Sequence, residues 1–296
     1  MKKMLFFLLI GFNIFIFAQN EKEFPVLKGD YLGQKPPGDE PTVFAPGIVS
    51  IENKNSHALV ISPDGKMIVF SRYPDGTSYI LSKENNKWSA PVQSFFYGKE
   101  VSFTPDGNKI FYYTGNDIFY VKKKSSQWSQ PIKLRLNVNT ENLIEFYPCI
   151  VKTGDLYFSR GMKWSESGLM HSKFQNGEYQ IATDLGENIN NGGALHAFVS
   201  PDESYILFNS PRKGCYTTLD IWISFRKTND TWSNPINLGN KLNSGAEAIL
   251  CPTVSPDGKF MFFTKMNFKT NTGYIYWVST SIIDRLKAIE NTIGQK

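Results

Sequence analysis

Two histidines and three glutamates carry most of the chemistry open to this sequence: His57, Glu100, Glu145, His196 and Glu247. Imidazoles and carboxylates hold divalent metals and move protons near neutral pH, so a metal site or an acid–base pair are the sharp readings. Spacing divides the set. Glu100 and His196 stand four residues before a recurring turn, at the position that Ala58, Tyr147 and Cys251 hold in the other copies, whereas His57, Glu145 and Glu247 are offset from it. The plainer reading, and the weightier one, is polar side chains lining a solvated channel. Neither a metal nor a cofactor is expected. An enzyme, if there is one, draws on His57, Glu145, His196 or Glu247.

The elements that must position these residues are legible in the turn itself. It reads Ser62-Pro-Asp-Gly65, Thr104-Pro-Asp-Gly107 and Ser255-Pro-Asp-Gly258, with Ser200-Pro-Asp-Glu203 as a departure and Lys152-Thr-Gly-Asp155 as a copy without proline. Proline pre-sets φ, aspartate suits the next position and glycine takes the left-handed one, so each copy joins two antiparallel strands. Apolar, β-branched flanks such as Ala58-Leu-Val-Ile61 and Lys66-Met-Ile-Val-Phe70 agree. The turn positions 63, 105, 152, 201 and 256 are separated by 42, 47, 49 and 55 residues. Periods of about 40 to 50 residues with several short strands each indicate propeller blades.

More than the turn repeats. A third strand carries Asp117-Ile-Phe119 or Asp220-Ile-Trp222, and Trp-Ser-x-Pro follows at Trp88, Trp128 and Trp232. Asn139, Asn190 and Asn243 each lie eleven positions after Trp128, Tyr179 and Trp232. The fifth block lacks the Trp-Ser-x-Pro strand and runs instead into an amphipathic helix pattern from Ser281 to Ile289. Val43-Phe-Ala-Pro-Gly-Ile-Val49 supplies the missing strand from the other end of the chain, closing the ring and covering its sheet edges.

Ser-Pro-Asp-Gly-Lys with Asp-Ile-aromatic and Trp-Ser-x-Pro resembles the WD40-like PD40 repeats of the TolB-type propeller family, over roughly residues 42 to 280. The leader Tyr31-Leu-Gly-Gln-Lys-Pro-Pro-Gly38 is similar to that of secreted single-propeller members. The resemblance implies an all-β propeller of four-stranded antiparallel blades. Five are counted here, where the family often has six, and a short helix ends the chain. It further implies a ligand face made by the loops entering the inner strands and the loops between second and third strands. That face would add Arg72, Tyr113, Arg160, Trp164, Arg212, Lys213 and Lys265 to the residues above. Arginine, tyrosine and tryptophan on a concave face suit a carboxylate, a sugar or a protein loop, while matching strand ends in solvent are the bland reading. The ligand-binding set is therefore His57, Arg72, Glu100, Tyr113, Glu145, Arg160, Trp164, His196 and Lys265. His171, in a third strand, reads as a packing or surface residue.

Composition bounds the rest. The chain has 296 residues, 41% hydrophobic and 15% aromatic, enough for a full core. Lys2 and Lys3 before an apolar run ending near Phe17 and Ala18 read as a secretory signal over 1–18, too short for a membrane span, and no lipidation cysteine follows. A leader over 19–41, a propeller over 42–287 and a tail over 288–296 complete the division. The net charge of +5, of which the signal contributes two, is too small to argue for nucleic acid. Cys149, Cys215 and Cys251 read as buried free thiols, with one disulfide possible in an oxidising compartment. Gly-x-Ser-x-Gly, phosphate loops, His-Glu-x-x-His and a sialidase box are absent; the nearest string to the last, Thr228 to Trp232, lacks the glycine. The expected function is a secreted or periplasmic binding module for a protein partner or an envelope glycan. The alternative is a hydrolase or lyase acting on a polysaccharide at the channel mouth.

Overall fold

A computed structural model describes residues 24–125 and 127–293. The signal segment expected over 1–18 and its cleavage point lie outside the described residues. Five antiparallel blades follow one another along the chain. The inner, second and third strands are Asn55–Ile61, Met67–Tyr73 and Thr77–Glu84 in blade 1, and Lys99–Phe103, Lys109–Thr114 and Asp117–Lys124 in blade 2. Blade 3 has Ile144–Ile150, Leu156–Gly161 and Ser167–Ser172. Blade 4 has Leu195–Val199, Tyr205–Ser210 and Asp220–Phe225, and blade 5 Ala248–Val254, Phe260–Asn267 and Thr272–Ser279. Each inner strand touches the inner strands of the blades before and after it, and the last touches the first, so the ring is closed.

The fourth strands are two residues long: Val92–Gln93, Ile132–Lys133, Thr183–Asp184, Ile236–Asn237 and, for blade 5, Thr42–Val43. Thr42 pairs with Trp277 and Val43 with Tyr276, antiparallel, so the N-terminal segment completes the last blade. Phe44 locks this closure, fully buried and edge-on to Phe262 and Trp277. Leader residues Leu27, Tyr31 and Leu32 pack on the same cluster. The C-terminal helix Ser281–Ile293 runs past residue 287 and lays Ile282, Ile283 and Leu286 on the core between blades 4 and 5.

The repeated residues do the same job in each copy. Ser62 Oγ accepts the Met67 N–H at 2.9 Å and donates to Asp64, whose Oδ1 accepts the Lys66 N–H. The set recurs at Ser255, Asp257, Lys259 and Phe260. Glycines 65, 107 and 258 take φ of 66°, 69° and 73°, and Glu203 takes 58° at the same position. The serine of Trp-Ser-x-Pro accepts a third-strand N–H, from Ser82, Lys122 or Phe225. The recurring asparagine stands in for a strand: Asn139, Asn190 and Asn243 bond both the N–H and the C=O of Ile118, Leu169 and Ile221. In blade 5 Ser50 does this for Ile275 with one hydroxyl. Each such residue satisfies backbone groups that burial would otherwise leave unpaired. All three cysteines are free thiols, two buried and Cys215 half-buried.

Candidate functional site: a funnel at the channel mouth

Every inner strand carries a bulge at the same place. Pairing with the second strand slips between His57 and Val60, Lys99 and Ser102, Phe146 and Cys149, Leu195 and Phe198, and Leu250 and Thr253. Within those slips Ala58, Glu100, Tyr147, His196 and Cys251 have φ between 52° and 56°. This is the column that the spacing aligned. A bulge kinks the strand and re-aims a side chain, here toward the ring axis. None of the five is β-branched, the class for which positive φ is most costly. The N–H groups freed by the bulges of Glu100, His196 and Cys251 go to the preceding blade, onto Ser71 Oγ, Ser159 Oγ and Asn209 Oδ1.

Ala58 and Tyr147 of this column pack in a cluster with Cys251, and Glu100, His196 and Cys251 line a cavity of about 640 Å³ at the end opposite the turns. Its walls are apolar: Leu195, Leu219, Leu250 and Met266, with Tyr73, Trp164 and Phe268 at the rim exposed by 47%, 37% and 51%. Its polar lining, from the floor at Glu100 and His196 up the walls to Asn55, is incompletely bonded. Glu100 Oε2, His196 Nε2, His57 Nδ1, Asn55 Oδ1 and Thr264 Oγ1 are buried with no hydrogen-bond partner, although Glu100 and His196 are only 2% and 3% exposed. Buried polar atoms are normally paired, and five exceptions around one cavity form a pattern.

Burial sets the electrostatics of this floor. It pushes the Glu100 carboxyl up to about 7, against the pull of the neighbouring Lys99 charge and the Tyr147 backbone. It lowers His196 to about 4, where the Asn209 hydrogen bond works against it and the Lys99 charge with it. His57 falls to about 3 through burial, the Lys99 charge and His196. At neutral pH both imidazoles are uncharged, and among the described residues Lys99 is the one lysine or arginine lining the funnel.

No protein-family model matches the chain, and no curated protein matches it. Solved structures do. A "putative TolB" from Agrobacterium tumefaciens aligns with a TM-score of 0.51 at 20% identity, over 72% of this chain and 71% of that one. TolB from Acinetobacter baumannii aligns at 0.46 and 14%, over 77% of this chain but only 55% of that one, and regucalcin from Agrobacterium tumefaciens, described as calcium-binding, at 0.45 and 11%, over 75% and 89%. The fold is a β-propeller. At these identities the likeness speaks to the fold alone.

Within this propeller the residues singled out by sequence divide sharply. His57, Glu100, Trp164 and His196 line the funnel. Tyr113 is buried just behind it, its ring edge-on to Trp164. Glu145 is fully buried, paired with Arg160 Nε at 2.9 Å and bonded by Thr140. Arg160 Nη2 caps the Val138 carbonyl, Arg212 that of Ile189 and Lys265 that of Ser244, so these side chains tie the second strands of blades 3 and 5, and the segment just after that of blade 4, to the loop entering the same blade. Arg72 lies over the stacked rings of Phe70 and Tyr79. Glu247 holds the backbone N–H groups of Phe268 and Lys269 and so shapes the rim. The four residues suggested for catalysis do not meet: Glu145 and Glu247 are spent on these bonds, and neither lines the funnel.

Sequence reasoning missed the walls, Lys99 and Asn209. Leu195 and Leu250 stand one residue before the aligned column, the one signal that marks them. It also missed a cluster at the turn end, where Asp155, His171 and Glu203 bring three metal-type ligand atoms within 4.8 Å of one another, the one such group among the described residues. His171 Nε2 lies 2.8 Å from Asp155 Oδ2, and Tyr157 donates to Glu203, so the three are already bonded within the protein. Among the described residues no helix is long and apolar enough to cross a membrane.

Proposed function

We propose that this chain is a non-catalytic binding propeller, secreted or periplasmic, whose funnel takes an apolar anchor presented by a protein partner. The observation that carries this reading is the set of buried, unpartnered polar atoms at the floor of an otherwise apolar cavity. Burial screens those atoms from solvent and the protein leaves them unpaired, so an occupant that bonds one of them and covers the walls gains on both counts. A volume of 640 Å³ falls within the range of about 300–1,000 Å³ typical of ligand sites. The aromatic rim of Tyr73, Trp164 and Phe268 supports a protein over a glycan: such residues concentrate binding energy at protein interfaces, and the many hydroxyls of a sugar would meet few polar groups on these walls. Compartment is argued from the N-terminal apolar run, with 1–18 as the signal.

A photo-crosslinking residue at Phe268 tests this reading, with one at Lys123 on the turn end as the control. Cells carrying the Phe268 probe are expected to give a discrete protein adduct that weakens when toluene fills the funnel, and the Lys123 probe none. Equal adducts from both ends, or an adduct indifferent to toluene, would overturn it.

A further inference from the structure

The tautomer of His196 is fixed by its neighbours. Asn209 Nδ2 donates to the carbonyl oxygens of Ile249 at 2.6 Å and Asp220 at 3.4 Å, and Asn209 Oδ1 accepts the Cys251 N–H at 2.9 Å. Turning the amide round would set its NH2 against that N–H and its oxygen against two carbonyls. The atom 3.2 Å from His196 Nδ1 is therefore an oxygen that can only accept, and Nδ1 must carry the proton. In a neutral imidazole the other nitrogen is then a bare acceptor. That nitrogen, Nε2, is buried without a partner in a residue that lines the funnel.

An occupant that satisfies Nε2 has to donate a hydrogen bond. An ammonium or guanidinium donates, but Lys99 lines the same cavity, with Nζ 5.1 Å from the Trp164 ring, and repels a second cation. A carboxylate presents only lone pairs. A hydroxyl donates to Nε2 and keeps lone pairs for a donor. The Glu100 carboxyl, held neutral by burial up to about 7, is such a donor on the same floor. The apolar walls ask for a large apolar body behind that one hydroxyl. Among protein side chains tyrosine has this form; tryptophan brings the body and a donor but no lone pair for the Glu100 donor, and serine and threonine carry the hydroxyl without the body.

We propose that the anchor is a phenol, a tyrosine side chain of the partner, whose hydroxyl donates to His196 Nε2. This deepens the binding-module reading and rests on it. The test is calorimetric titration of the purified propeller at pH 6, where Glu100 is protonated and His196 neutral, with three probes of nearly equal shape: toluene, p-cresol and 4-methylanisole, which accepts but cannot donate. p-Cresol is expected to bind roughly tenfold more tightly than either of the others, the worth of one buried hydrogen bond. His196→Phe keeps a ring at the position, and it is expected to abolish the p-cresol preference while toluene still binds. Equal affinity for p-cresol and toluene in the parent protein would overturn the phenol and leave the funnel reading standing. Matching affinities for p-cresol and 4-methylanisole would overturn the donor assignment. Failure of all three to bind would remove the funnel reading as well. The comparison within the parent protein decides even if the variant does not fold.

Discussion

The two ends of this propeller are made from the same strands, yet they use polar atoms in opposite ways. At the turn end, Ser62 and Ser255 stand in the same arrangement and each hydroxyl both donates and accepts inside its own turn. At the funnel end, five equivalent positions hold Ala58, Glu100, Tyr147, His196 and Cys251, no two alike, and polar atoms there are left without partners. The contrast separates two kinds of selection on one backbone. Repetition marks what every blade needs to fold. Its absence at a position the backbone repeats marks what is particular to this molecule, and the atoms left unpaired within the protein are those on which the proposed function rests.

If this division holds, substitutions in the scaffold cost stability and spare the funnel, while substitutions on its floor relieve strain and change binding. The largest loss is expected from Phe44→Ala, which empties a fully buried site at the ring closure: about 3–5 kcal/mol by urea unfolding, with toluene affinity unchanged in the protein that remains folded. A loss below about 1 kcal/mol would mean that the closing segment is dispensable.

Glu100→Gln is expected to stabilise, in a pH-dependent way. The folded carboxyl titrates near 7 against a reference of 4.5, so the native state holds an extra proton between those values and stability falls as pH rises through that window. The depressed histidines act in the opposite sense, but they are common to both proteins and cancel in the difference. The variant should match the parent near pH 4.5 and gain roughly 3 kcal/mol by pH 8, read as a growing difference in Tm. A constant difference across pH would show that the carboxyl is solvated and would break the comparison at its polar floor.

Smaller effects belong to the repeated residues. Asn243→Ala leaves the N–H and C=O of Ile221 unpaired in the core and should cost about 2 kcal/mol. Ser62→Ala removes two turn bonds at a buried site and should cost about 1.5 kcal/mol. Neither should alter the affinity for toluene or p-cresol, and a change from either would join the two ends energetically.

The fold was legible because its repeat is written in local hydrogen bonds. The turns, the serine of Trp-Ser-x-Pro and the asparagine each bond groups close by in the chain or one strand away, so their residue types recur. Closure by Val43 was legible for the same reason, as a strand missing from one end and present at the other. The site was legible only in part. Spacing placed Glu100 and His196 in one column, but nothing in the residue types signals a left-handed bulge where no glycine stands. Glu145 and Arg160 had the chemistry of a ligand site and spend it on each other, a pairing that depends on blade 3 being folded. Asn209, which fixes the histidine tautomer, is an ordinary strand residue until the next blade delivers the Cys251 N–H to it.

The account turns on whether the channel floor is held ready for a hydrogen-bond donor. Nitrogen NMR of the imidazoles addresses this directly, because the chain has only three histidines. At pH 7 His196 should be neutral with its proton on Nδ1, and added p-cresol should shift its Nε2 resonance while leaving His171 at the turn end unmoved. A proton on Nε2, or an Nε2 signal indifferent to p-cresol, would contradict the account.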